Sequence, residues 1–466
     1  MLTLNAPAPR LCDRLNRREW LRIGGIGLGS LTLPALLQAR ARAQSPARGS
    51  FGQAKSVIVV WLGGGMPQHE TFDHKLDAPE EIRGPFGAID SATPGLKVGG
   101  LLPKISRLTD RLAVIRSMST GDNAHSSSGY QMLTGVPHIP LSQENATPQR
   151  PNDSPSLNAL VRALKPERGG LPPAITVPLR MANVGEVVWP GQDAGFLGKK
   201  YNPWVLTCDP ADAKFTVPGC ELPEELSQLR LDGRLSFLSQ MNERLEQIDR
   251  NEAIRGYGRQ SDQAIELLSG GKARQAFQLN QESDKTRDRY GRTKWGQSVL
   301  LARRLIEAGV SLVQVNWARI EGKPNGGGWD THDKHNELLK DTLMPMLDQT
   351  YSALIEDLEQ RGLLDETLVC LVSEFGHTPK FNARAGRDHW GKVFSLALAG
   401  GGVRGGVVHG ATDRLSAEAT TSIVKPCDYL ATVYHCLGFE PDTIVYDQLN
   451  RPIPISRGKP VREVLG

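Results

Sequence analysis

Cysteine is scarce in this chain, with six residues in 466 and no Cys-x-x-Cys pair. That excludes a thiolate zinc module and a disulfide-dense scaffold. No apolar run reaches the roughly 20 residues that a membrane-spanning helix needs. There is no internal repeat, so a stacked-repeat architecture is excluded as well. A lasting excess of positive charge is also missing. The whole chain carries +4, but residues 1–43 hold seven arginines against two acids, Asp13 and Glu19. The remainder is close to −1 and offers no basic patch for nucleic acid or a membrane surface.

The first 43 residues have their own pattern. Asn16-Arg17-Arg18-Glu19-Trp20-Leu21 precedes an uncharged run over 23–37, and Ala41-Arg42-Ala43 follows as a small-x-small cleavage site. This reads as a twin-arginine export signal, too short to remain as a span. No cysteine stands at the cleavage point, so no lipid anchor is expected. The expectation is a periplasmic or secreted protein of residues 44–466, with the twin-arginine export machinery as a partner. That route carries folded proteins, which permits a metal to be loaded beforehand. Two cysteine pairs are conceivable in an oxidising compartment, Cys208 with Cys220 and Cys427 with Cys436.

The chemistry concentrates in residues 326–390. Four of the ten histidines, His332, His335, His377 and His389, lie there beside Asp330, Asp333, Glu374 and Asp388. Imidazole nitrogen with carboxylate oxygen is the donor set of zinc, manganese or iron. The motifs GGGWDTHDKH, SEFGHTP and GRDHWG are rich in glycine and proline, as loops are. Between them, residues 336–360 have the apolar spacing of an amphipathic helix. Thr367–Val372 is a β-branched run typical of a strand buried on both faces. Glu374 therefore falls just past a strand's carboxyl end, where open α/β sheets bind ligands.

Earlier segments repeat this format. Residues 56–62 form a second buried strand before the turn Gly63-Gly64-Gly65. His69, Glu70, Asp73 and His74 follow, either completing a metal site or lying on a solvated loop. A third strand begins at Leu112 and leads to His125-Ser126-Ser127-Ser128. Those serines suit a helix cap or a nucleophile at a helix N-terminus. Residues 136–230 read as elaborated loops around short elements at 157–164 and 174–177. Residues 232–290 read as a charged helical insertion. A helix at 293–308 and a strand at 310–315 come next, and strands at 394–399 and 407–409 and a helix at 428–437 follow the site.

GGGWDTH, LLDETLVCLVSEFG and GRDHW together resemble the DUF1501 family of exported bacterial proteins, which is related to the alkaline phosphatase and sulfatase superfamily. The likeness extends over nearly all of residues 44–466. It implies an α/β, alkaline-phosphatase-like three-layer sandwich with a largely parallel central sheet. It also implies a metal-dependent hydrolase acting on phosphate or sulfate esters of small molecules or glycans. The rival implication is a binding protein that kept the fold without the chemistry.

Measured against that superfamily, Gly64 stands where an Asp ligand is usual. Glu374 and Phe375 stand where an Asp and a His are usual, and no Cys-x-Pro-Ser-Arg signature is present. Counting back from Thr134-Gly135 places the nucleophile position at His125, with Ser126 and Ser127 as the ordinary alternatives. His125 is expected as general acid/base or unusual nucleophile. The surviving ligand set is Asp330, His389 and either His332 or His335, with Glu374 as fourth ligand or base. One divalent ion per chain is expected, zinc or manganese. Glu70 or His377 could rebuild a second position.

Overall fold

The computed structural model describes residues 49–168, 170–183, 185–217 and 271–466. The expected export signal lies outside these residues, as do Cys220 and most of the expected helical insertion. Among the described residues, no helix is long and apolar enough to cross a membrane.

Eight strands form the central sheet: β1 Ser56–Trp61, β2 Leu112–Met118, β3 Ala174–Val177, β4 Trp204–Val205, β5 Leu312–Asn316, β6 Thr367–Val372, β7 Phe394–Ala399 and β8 Val407–His409. Their order is β8-β2-β7-β6-β1-β5-β3-β4. All neighbouring pairs are parallel except those that β7 makes with β2 and β6. The expected three-layer, largely parallel arrangement is what the chain forms.

The layers follow from side-chain alternation along the strands. In β1, Val57, Val59 and Trp61 face one cluster, and Ile58 and Val60 face the other. Helices α1 His125–Thr134, α2 Leu157–Leu164 and α7 Pro426–Leu437 cover the first face. The second face is covered mainly by α5 Lys294–Glu307 and by α6, residues 335–360. Two short helices, α3 Gly271–Phe277 and α4 Asp284–Tyr290, precede α5. Helix α6 starts at His335–Leu338, passes through a π turn at Leu339–Leu343 and continues as Met344–Gln360. Pro345 has no N–H to donate one turn back, and a widened turn just before it absorbs that loss.

One cysteine expectation changes. Cys427 and Cys436 are both free and share α7. Nine residues of helix put them about 13 Å apart along the axis, and a disulfide cannot reach that far. Cys208 has no disulfide partner among the described residues, and its expected partner Cys220 lies outside them.

Candidate metal centre and adjoining cleft

Three strands end level with one another. Trp61 of β1 lies beside Asn316 of β5 and Val372 of β6. The loops that follow, Gly63-Gly64-Gly65, the segment through Asp330, and Ser373-Glu374, therefore meet at one edge. This is the carboxyl-end crevice of an open parallel sheet. Helix α1 brings His125 to the same edge.

Asp330 is the centre of this constellation. Its loop is anchored by Trp329, which is buried edge-on against Trp317 with ring centres 5.4 Å apart. His389 Nε2 lies 2.9 Å from Asp330 Oδ1, His332 Nε2 lies 3.0 Å from the same oxygen, and the two nitrogens are 2.9 Å apart. His125 Nε2 approaches the other oxygen, Oδ2, at 3.3 Å. Each imidazole turns its Nδ1 to an oxygen acceptor: His389 to the Asn123 carbonyl at 2.8 Å, His332 to Asp388 Oδ1 at 2.7 Å, and His125 to Glu374 Oε1 at 2.9 Å. An Nδ1–H committed in this way leaves the Nε2 lone pair free to ligate, and ligating histidines are usually held like this.

The electrostatics agree. Burial would raise the Asp330 carboxyl, but hydrogen bonds from His125, His332 and His389 outweigh it and hold the group far below the usual carboxylate range. Burial would lower His125, yet bonds to Asp330 and Glu374 lift it to about 10. His332 is pushed up, first by its bond to Asp330. The carboxylate favours positive charge at these nitrogens, and a proton or a divalent cation can supply it.

The residues fit a divalent ion. The tightest donor set is Asp330 Oδ1 with His332 Nε2 and His389 Nε2, whose separations approach the roughly 3.3 Å edge of a tetrahedron with 2.0–2.1 Å bonds. A looser set, His125, Asp330 and His389, has all its ligand atoms within 4.8 Å. We favour the tighter one because His125 addresses the opposite carboxylate oxygen.

Not every expected residue has its expected place. Glu374 is fully buried behind His125 rather than beside Asp330. Its oxygens accept from the Gly64 N–H at 2.7 Å, Trp61 Nε1 at 3.2 Å and His125. With those contacts made, it orients His125 and is not a ligand in this arrangement. Gly64 is not replaceable by the usual Asp, because a Cβ there would stand 2.2 Å from the Asp330 nitrogen. Phe375 is buried and stacks on His389 at 4.3 Å.

His332, not His335, joins Asp330. His335 is buried with Nδ1 2.6 Å from Thr331 Oγ1. Glu70 is held by Arg387 at 2.6 Å, and His377 Nε2 lies 3.2 Å from the Gly64 carbonyl. Among the described residues, neither belongs to a cluster of three groups close enough to share a metal ion.

The serines do not cap α1. Asp122 Oδ1 accepts from the Ala124 N–H, and Glu144 Oε2 accepts from the His125 N–H. Ser126 Oγ accepts from Asn183 Nδ2 at 3.3 Å, and Ser127 Oγ accepts from the Gln143 N–H at 3.0 Å. Neither serine bonds to His125, Asp330 or His389.

A cleft of about 700 Å³ opens beside the centre, within the range of ligand pockets. His125, Asp330 and Gly64 line one part, and Trp189, Trp317, Arg180, Lys294 and Arg319 line others. Sequence reading did not single out these five, nor Asn123. Trp317 follows directly after β5, which was a usable signal. Trp189 lies among irregular loops that gave none.

No curated protein matches this chain. Solved structures similar to it include the PsFucS1 sulfatase from Pseudoalteromonas sp., at 11% identity over 90% of this chain and 72% of that one, with a TM-score of 0.37. The phosphonate monoester hydrolase SpPMH from Silicibacter pomeroyi is 13% identical over 87% and 76%, with a TM-score of 0.39. A protein of the alkaline phosphatase superfamily from Vibrio parahaemolyticus is 10% identical over 87% and 83%, with a TM-score of 0.32. The profile described as "Protein of unknown function (DUF1501)" matches residues 54–465, and the chain therefore belongs to the DUF1501 family.

Proposed function

We propose that this protein is an exported, metal-dependent hydrolase of phosphate or sulfate esters. The observation that carries the reading is the convergence of two imidazole Nε2 atoms on one Asp330 oxygen, with both Nδ1 atoms held by acceptors. Asp330, His332 and His389 would hold one divalent ion, zinc or manganese, and it would supply Lewis acidity towards an ester oxygen.

The chain's own residues do the rest. Glu374 accepts from His125 Nδ1, which fixes the ring and aims Nε2 into the cleft. His125 is then placed to move a proton to or from the reacting oxygen as general acid/base. Trp189 stacks on His125 with ring centres 5.6 Å apart and screens it from water on one side. The Ser126 and Ser127 hydroxyls are buried and bonded elsewhere, which argues against a serine nucleophile. Twin-arginine export to the periplasm belongs to the same reading and rests on residues 16–43.

A second reading, binding without turnover, draws on Gly64 and Phe375 at positions where the wider superfamily carries ligands. A panel of aryl phosphates and sulfates, assayed with and without chelator, separates the two. The hydrolase reading expects chelator-sensitive turnover that falls about 10²–10⁴-fold in His125→Ala and persists in Ser127→Ala. Metal-replete protein that turns over neither ester class would favour the binding protein.

A further inference from the structure

The cleft beside Asp330 carries more positive charge than one ester requires. Three cationic side chains line it: Arg180, Lys294 and Arg319. Arg180 is already committed to Asp193, through contacts of 2.9 and 2.6 Å. Lys294 and Arg319 differ. Among the described residues, neither has an acidic group within ion-pair distance, although Glu186 also lines the cleft. Lys294 is the half-buried first residue of α5, and Arg319 is an exposed residue just after β5. The half-buried Lys294 gains when something negative enters the cavity beside it, and the exposed Arg319 adds the modest attraction of a surface ion pair.

Two indoles make part of the cleft wall apolar. The indole N–H of Trp317 is spent on the Gly327 carbonyl and that of Trp189 on Asn183 Oδ1, so both rings can offer only apolar surface. The lining thus combines Asp330 and His125, two indoles and two cations without an acidic partner.

We propose that the substrate carries a second, non-reacting anionic group, a carboxylate, sulfate or phosphate on its alcohol portion, and that Lys294 and Arg319 hold it. This rests on the reading of the Asp330 end as the seat of the ester. The two cations select the substrate and take no part in the chemistry.

The test is calorimetric titration of the metal-loaded protein at low salt with benzenesulfonate and with the 1,3- and 1,4-benzenedisulfonates. One of the disulfonates should bind about tenfold more tightly than the monosulfonate, the order expected of two partly exposed ion pairs. The ratio should fall towards one in the Lys294→Met/Arg319→Met double variant. It should survive the exchange of Lys294→Arg with Arg319→Lys. Arg319→Gln alone, at an exposed position, should reduce it part of the way. A ratio near one in the unaltered protein, or a ratio untouched by the double variant or by Arg319→Gln, would overturn the proposal. Absence of ester turnover with the ratio intact would overturn the hydrolase reading and support a second anion subsite.

Discussion

Replacing Gly64 by alanine adds one methyl group where the structure has no room for it. The added Cβ would lie 2.2 Å from the Asp330 nitrogen and 2.7 Å from the Trp329 carbonyl carbon, and the backbone there has φ of +115°. All the close atoms are backbone, so no side chain can swing away. Three costs follow. A left-handed conformation in a non-glycine residue costs roughly 1–2 kcal/mol. Overpacking costs about 1–3 kcal/mol. Displacing the Gly64 N–H from Glu374 Oε1, now 2.7 Å away, removes a charge-assisted bond of about 1.5–3 kcal/mol. These overlap, since one backbone shift relieves the first two while losing the third. A net of about 3–6 kcal/mol is reasonable, and at ~2.1 cal/mol/K per residue it lowers Tm by about 3–7 °C. Differential scanning calorimetry reads this directly. Gly63→Ala is the control, because its added Cβ would meet nothing closer than the Trp61 ring at 3.8 Å. A Gly64→Ala protein melting within 1 °C of the Gly63→Ala protein would refute the claim that Gly64 is fixed by the Asp330 backbone. Gly64→Asp should fare no better and should not add a metal.

Asp388→Asn should weaken divalent metal affinity about 10–100-fold without unfolding the protein, because His332 loses the carboxylate that orients its ring. Competition against a chromogenic chelator measures this, and unchanged affinity would remove His332 from the ligand set. Arg17→Lys with Arg18→Lys should hold the full-length precursor in the cytoplasm. Normal yields of periplasmic protein starting near Gln44 would contradict the export reading.

Strands were the most legible part of the sequence. Runs such as 56–62 and 367–372 are short, β-branched and apolar on both faces, the pattern usual for a parallel strand covered by helices on both sides. The surroundings of Asp330 were legible as a set of residue types but not as an assignment. His332 and His335 differ by three positions in a loop that reverses at Lys334, where φ is +47°. Composition cannot tell which of the two turns inward. Glu374 looked like a ligand because it follows a strand. Its actual partners, Trp61 Nε1 and Gly64 N–H, come from β1 and the turn after it, some three hundred residues earlier, and no local pattern encodes that pairing. The cleft wall was harder still, since Trp189 and Lys294 come from separate regions that meet only in the folded chain.

Asp330, His332 and His389 are proposed to bind one divalent ion. Elemental analysis of the purified protein and its His389→Ala variant addresses this most directly, since the parent should carry about one zinc or manganese per chain and the variant should lose most of it. Two ions per chain in the parent, or a metal content that His389→Ala leaves unchanged, would rule out a single ion held by these three residues.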